Sequence, residues 1–256
     1  YKEVTAVYNM AFLLEALDKR ERTLYIVIRT LPVPQDVRIR RAPVYRWKWS
    51  KDRKMDVSGL QKLTLLDYPG RVACTIFTGG CDLRCPFCHN ASLALPERER
   101  DVITHDELMA FLKKRVGILD GVAVTGGEPL LYPLGVLTET LHAKGLEIFL
   151  ETSGTHPFSG YFDWVCLSPK RQQPPLDEAF GKAHELKVIV GDEADFEWAE
   201  RNAARVGAGC ILYLQPEWSV AERMMPAIVE YAKAHPKWNI SVSYTHLRAH
   251  ETDSYL

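Results

Sequence analysis

The chain holds 256 residues, 46% of them hydrophobic and 25% charged, with a formal net charge of −1. A chain of that size and balance buries a sizeable core in one domain with room for a small appendage, and its charge gives no pointer to nucleic acid or a membrane surface. No apolar run approaches the roughly 20 residues needed to span a bilayer and no leader pattern opens the chain, while six cysteines, three of them within Cys81–Cys88, suit a metal site in a reducing cytoplasm better than a disulfide scaffold.

Residues 1–54 carry a helix-like stretch from Asn9 to Arg22 and an apolar run from Leu24 to Ile28, to which no chemistry attaches. Residues 38–54 hold eight basic residues against one acid, with Tyr45, Trp47 and Trp49 interleaved. That pattern suits RNA through phosphate contacts and stacking, and equally a solvated linker. Met55 reads as a start, which makes 1–54 an extension of unassigned role.

From Arg71 onward short apolar runs alternate with amphipathic stretches. The runs are Val72–Phe77, Val122–Thr125, Glu147–Leu150, Trp164–Leu167, Leu186–Val190 and Ile211–Leu214, each of strand length. Their near-continuous apolar character predicts strands buried on both faces. Between them, Thr104-His-Asp-Glu107 forms a capping box opening a helix to about Arg115. Further helices are predicted over Pro133–Lys144, closed by Gly145, and over Glu193–Arg205 and Ala221–Ala234. Alternation of this kind predicts parallel βα units, an α/β fold forming a partial (βα)6 barrel related to the eight-unit TIM barrel. It occupies residues 55–242. Residues 243–256 are polar, lack core periodicity and read as a non-native tail.

The first run leads into Thr78-Gly-Gly-Cys81-Asp-Leu-Arg-Cys85-Pro-Phe-Cys88-His89-Asn90. Parallel α/β folds place chemistry at the C-terminal ends of their strands, and this loop sits there. Three thiolates can hold three irons of a cubane cluster and leave the fourth open, as a catalytic cluster requires. Zinc would want a fourth ligand, for which adjacent His89 is poorly placed. An electron-carrying cluster would want a fourth cysteine from Cys74, Cys166 or Cys210, all at strand positions where core packing is the simpler role. The second run ends in Thr125-Gly126-Gly127-Glu128-Pro129, whose glycines allow close approach of the backbone to a ligand and whose carboxylate suits an ammonium.

The Cys-x3-Cys-x2-Cys spacing, with Phe87 before the last cysteine, resembles the signature of the radical S-adenosylmethionine (SAM) superfamily, and Gly126-Gly127-Glu128-Pro129 resembles its second motif. The resemblance implies that Cys81, Cys85 and Cys88 hold a [4Fe–4S] cluster and that SAM chelates the open iron. It further implies that the Phe87 and Thr125–Pro129 segments face the methionine moiety, and that reductive cleavage of SAM yields a 5′-deoxyadenosyl radical. The cofactors carry the chemistry and the protein positions them.

Two families within that superfamily divide the chain. Residues 59–90, with the Asp67-Tyr68-Pro69-Gly70 turn and the ending Cys88-His89-Asn90, resemble anaerobic ribonucleotide reductase activating proteins, which take hydrogen from a glycine of a partner reductase. Residues 147–242, with Glu151-Thr152-Ser153-Gly154-Thr155-His156, Ser168-Pro169-Lys170 and Gln215-Pro216, resemble 7-carboxy-7-deazaguanine synthase. That enzyme contracts 6-carboxy-tetrahydropterin on the way to queuosine. The resemblance implies that Glu151, Thr152 and Ser153 face the cofactor ribose, with Ser168, Lys170 and Gln215 near pterin and cofactor. Synthases carry Cys-Asp-Thr after the cluster, the threonine helping to bind magnesium. Here the equivalent positions read His89 and Asn90, so the match to that magnesium site is lost, although an asparagine can serve as an oxygen ligand. A chimeric join at the shared Gly-Gly-Glu-Pro-Leu stretch would give this pattern.

The favoured expectation is a pterin-converting enzyme with a flavodoxin or ferredoxin as electron donor, compatible with a homodimer. The alternatives are a glycyl-radical activase acting on the anaerobic reductase and a non-catalytic RNA-binding cluster protein. Convergence of Asn90, Ser168 and Gln215 on one cavity would favour a small molecule, and a flat mouth a protein. His142, His184, His235 and His246 read as surface or capping residues, and His156 as the one histidine placed for a site role. Glu193, Asp195 and Glu197 read as a solvated helix face.

Overall fold

The structure is a computed structural model that describes residues 55–86, 88, 90–94 and 102–241. Expectations for residues 1–54, Phe87, His89 and 243–256 lie outside the described residues. Strand β1 (Val57–Thr64) runs antiparallel to β2 (Ala73–Thr78). From β2 the sheet continues in parallel through β3 (Gly121–Gly126), β4 (Glu147–Thr152), β5 (Trp164–Leu167), β6 (Glu185–Val190), β7 (Ile211–Pro216) and β8 (Trp238–Ile240). The strands pair in sequence order and β1 does not pair with β8, so among the described residues the barrel is open. The six predicted runs are β2 to β7. Strands β1 and β8 extend them at the two edges and escaped notice because glycine, lysine and threonine dilute β1 and β8 is only three residues long.

Helices α1 (Ala91–Ala94), α2 (His105–Arg115), α3 (Gly135–His142), α4 (Asp177–Lys182), α5 (Ala194–Ala203) and α6 (Ala221–Ala234) fill the connections. The capping box forms as expected: Thr104 Oγ1 accepts from the Glu107 N–H at 3.2 Å, and the Thr104 N–H donates to Glu107 at 2.8 Å. Asp195 departs from its expected solvated role. Its side chain is 14% exposed, accepts from the Gly191 and Asp192 N–H groups and pairs with Arg171 at 2.6 Å.

Strand period two decides what faces where. Cys74, Ile76, Val122, Val124, Ile148, Leu150 and Val165 pack under the first helices, and Leu167, Leu186, Val188, Leu212 and Leu214 under the later ones. Burying each such Leu or Ile stabilises the fold by about 1.5–3 kcal/mol, and cutting fully buried Leu150 back to alanine would cost roughly 2–5 kcal/mol. The opposite face lines the barrel interior. Its lower part is filled by Tyr68, Ala73, Ala123, Phe149 and Cys166, with the Tyr68 and Phe149 rings 5.4 Å apart. Tyr68 donates to Glu147 at 3.1 Å, and Arg71 grips the same carboxylate at 2.7 and 2.8 Å. The Asp67–Gly70 turn therefore precedes β2 and floors the barrel, at the end opposite the cysteine loop. No helix among the described residues is long and apolar enough to cross a membrane.

Candidate active site

The cysteine loop leaves β2 at Thr78 and is fixed by its own backbone. The Gly79 N–H donates to Asp56 O at 2.8 Å and the Gly80 N–H to Leu93 O at 2.7 Å. Arg84 folds back to donate to the carbonyls of Cys81 and Leu83 at 2.6 and 2.9 Å. Asp82 meets His156 at 2.9 Å, which ties the loop to the segment after β4. Cys81 and Cys85 are half-buried and Cys88 is exposed; none is in a disulfide. Burial pushes the Cys81 thiol up to about 11 and raises that of Cys85 as well. Desolvation disfavours the thiolate, so bound iron must supply the compensating charge.

The loop after β3 is packed against the cysteine loop, backbone to backbone. The Gly127 N–H donates to Thr78 O at 2.8 Å, and the Glu128 N–H to Gly80 O at 3.0 Å. A Cβ on Gly127 would lie 2.0 Å from Gly80 O, and Gly126 sits at φ +112° with Thr78 O 2.6 Å from its Cβ position. These glycines are thus demanded by the neighbouring loop, before any ligand is considered. Glu128 is 1% exposed. One of its carboxylate oxygens accepts from Leu130 N–H at 3.1 Å and the Thr152 hydroxyl at 2.5 Å, the other from Ser153 N–H at 2.9 Å and its hydroxyl at 2.5 Å. A carboxylate offers about four lone-pair sites, and the chain's own donors take them all.

The far wall comes from the ends of β4 to β7. Glu151 pairs with Lys187 at 2.6 Å and accepts from the Thr125 hydroxyl at 3.4 Å. Burial alone would lower the Lys187 pKa, but the facing Glu151 carboxylate more than reverses this and raises it. Lys170 donates to the Ser168 hydroxyl at 2.7 Å, and burial lowers its pKa. Gln215 Oε1 accepts from Ser241 at 3.3 Å.

These walls enclose about 790 Å³ of space, the open mouth included. Cys81, Cys85, Cys88, Asn90, Thr125, Gly126, Gly127, Glu128, Glu151, Thr152, Ser153, Ser168, Lys170 and Gln215 all line this one cleft. Pro129 does not; it is buried in the short 3-10 turn Pro129–Leu131. Leu83, Lys187 and Ile189 also line it without having been anticipated. The signal for Lys187 was a lysine inside the otherwise apolar stretch Leu186–Val190. Cys74 packs under the helices, Cys166 lies in the barrel floor and Cys210 precedes β7, so none joins the three loop cysteines on the cleft.

The donor set fits a [4Fe–4S] cluster. Three undisulfided cysteines face one cleft, and each would take a different iron. Among the described residues no three His, Cys, Asp or Glu side chains are gathered closely enough to hold a single metal ion.

The radical SAM superfamily profile matches residues 75–166. The chain is similar to a 7-carboxy-7-deazaguanine synthase of Flavobacterium psychrophilum, 43% identical over 180 residues, which cover 68% of this chain and 81% of that protein. The synthase of Synechocystis is 39% identical over 176 residues, 68% of this chain and 82% of that one. A putative glycyl-radical enzyme activating enzyme of Methanocaldococcus jannaschii matches 105 residues at 34% identity, 40% of this chain and 41% of that one. Among solved structures, QueE from Escherichia coli superposes with a TM-score of 0.62 at 24% identity, over 73% of this chain and 92% of that one, and so shares the fold.

Proposed function

The chain belongs to the 7-carboxy-7-deazaguanine synthase family of radical SAM enzymes, and from that premise we propose that it converts 6-carboxy-tetrahydropterin to 7-carboxy-7-deazaguanine. The observation that carries this reading is the convergence of Asn90, Ser168 and Gln215 with the three loop cysteines on one concave cleft. A chamber of that kind suits a small molecule enclosed on several sides. An activase would need a mouth open enough to admit a glycine on a partner protein's backbone.

In this reading Cys81, Cys85 and Cys88 hold the cluster. Cluster and SAM together supply, by one-electron reduction of the sulfonium, a 5′-deoxyadenosyl radical that takes hydrogen from substrate. The residues of the chain bind, orient and exclude water. The backbone of the Gly126–Gly127 segment is offered to the methionine ammonium, since the Glu128 carboxylate is already filled by Leu130, Thr152 and Ser153. Glu151 faces a ribose hydroxyl, and Ser168, Lys170 and Gln215 bound the rest of the chamber. Asn90 would hold magnesium through its amide oxygen. The electron comes from a small one-electron donor such as flavodoxin or ferredoxin.

The activase-like Asp67–Gly70 turn weighs little against this reading, because it floors the barrel and touches no part of the cleft. The deciding experiment is anaerobic reconstitution of the cluster followed by SAM, reductant and 6-carboxy-tetrahydropterin. Formation of 7-carboxy-7-deazaguanine is expected. Normal release of 5′-deoxyadenosine without that product would reject the synthase reading. A glycyl radical installed on an anaerobic reductase, seen by electron paramagnetic resonance, would establish the alternative.

A further inference from the structure

Lys187 sits in the middle of β6, two residues below the level at which Ile189 pairs with Gln215. Its side chain is 10% exposed, yet it lines the cleft. An ammonium carries three N–H donors. One goes to Glu151 at 2.6 Å, and the described residues give the other two no acceptor. A buried cation left with open donors is costly unless something completes its shell. On the same wall Lys170 adds a second ammonium, which also leaves donors open after its bond to Ser168. Lys170 and Lys187 thus share this part of the fold with two carboxylates, Glu151 and the buried Glu185, and the unfilled donors belong to ammonium groups that line the cleft.

We propose that Lys187 recognises the carboxylate of the substrate and so selects a carboxylated pterin over an uncarboxylated one. This rests on the pterin reading above. Glu151 holds the ammonium in place, and the ligand carboxylate fills an open donor position in a water-poor cleft, where charge-assisted hydrogen bonds are strong.

The test is binding of two fluorescent, non-reacting probes, 6-carboxypterin and unsubstituted pterin, to the reconstituted enzyme saturated with SAM. Wild-type enzyme is expected to hold the carboxylated probe roughly 10- to 100-fold more tightly, the range of one charge-assisted bond. Lys187→Gln should erase that preference while leaving the visible absorbance of the cluster and the affinity for unsubstituted pterin in place. Because the single change strands Glu151, the neutral pair Lys187→Gln/Glu151→Gln serves as a second variant, expected to fold and also to lose the preference. Lys187→Arg should keep part of it. A Lys187→Gln enzyme that retains the preference, or loses both probes equally while the neutral pair retains the preference, overturns the proposal alone. Wild-type enzyme that binds neither probe overturns the pterin reading and this proposal with it.

Discussion

Ser153 gives both its backbone N–H, at 2.9 Å, and its hydroxyl, at 2.5 Å, to one carboxylate oxygen of Glu128. The contact joins the loop after β3 to the end of β4 and makes Glu128 an organiser of two cleft walls. Glu128→Ala would strand the donors of Leu130, Thr152 and Ser153 in a dry place. Unmet buried donors cost about 1–3 kcal/mol each before relaxation, so a net loss of roughly 2–4 kcal/mol is expected. Urea unfolding of the metal-free protein reads this directly, and retention of wild-type stability would show that the network carries no load.

The loop cysteines and the other three should separate cleanly. Alanine at Cys81, Cys85 or Cys88 is expected to abolish the visible absorbance of the reconstituted protein and 5′-deoxyadenosine release. Serine at Cys210, which lies away from the cleft, should leave both intact. Cluster absorbance lost in Cys210→Ser would mean that a fourth thiolate is used.

The Asp82–His156 contact predicts a different signature. Its partners are 41% and 22% exposed, and such pairs contribute about 1 kcal/mol or less to stability. His156→Ala should therefore barely move the unfolding midpoint. It should nonetheless speed loss of the cluster in air several-fold, because the tether of the cysteine loop to the β4 side is gone. Unchanged cluster lifetime would make the contact incidental.

Much of this site was legible because its residues sit where strand order puts them. The cysteine spacing, Gly126–Glu128, Glu151–Ser153, Ser168, Lys170 and Gln215 follow successive strand ends, and a parallel barrel brings strand ends together. The strands carrying Ile76, Val124 and Leu150 were legible as well, since each is a strand-length apolar run. Lys187 was not, because an apolar run read as buried on both faces hides the difference between packing under a helix and facing a polar interior. Gly127 was read as letting the backbone approach a ligand, and no one-dimensional pattern reveals that a second loop's carbonyl also lies where its Cβ would be. Asp195 and the Asp82–His156 pair depend on long-range approach that spacing does not encode.

Glu200 on α5 predicts a pH dependence. It accepts from Trp238 at 2.8 Å and Tyr231 at 3.0 Å and pairs with Lys237, joining α5, α6 and β8. Partial burial works to raise its pKa, but these donors outweigh it and hold the carboxyl below its ordinary value. A depressed folded-state pKa gives stability that is complete above the unfolded value of about 4.3 and is lost as pH falls through the folded value. Glu200→Gln should therefore destabilise the protein at pH 7 and converge with wild type at strongly acidic pH. Denaturant midpoints measured across that window check it, and a constant gap between the two proteins would refute the assignment.

The seam where Gly127 meets Gly80 has a consequence for how the empty enzyme behaves. Two loops joined by the successive Gly127 and Glu128 N–H donors of one to the Thr78 and Gly80 carbonyls of the other cannot loosen one at a time. The amides of Gly127 and Glu128, which bridge the seam, should trade hydrogen for deuterium with one shared opening free energy, as a single cooperative patch. A chamber whose rim is ordered in advance spares its ligands the entropy of arranging it.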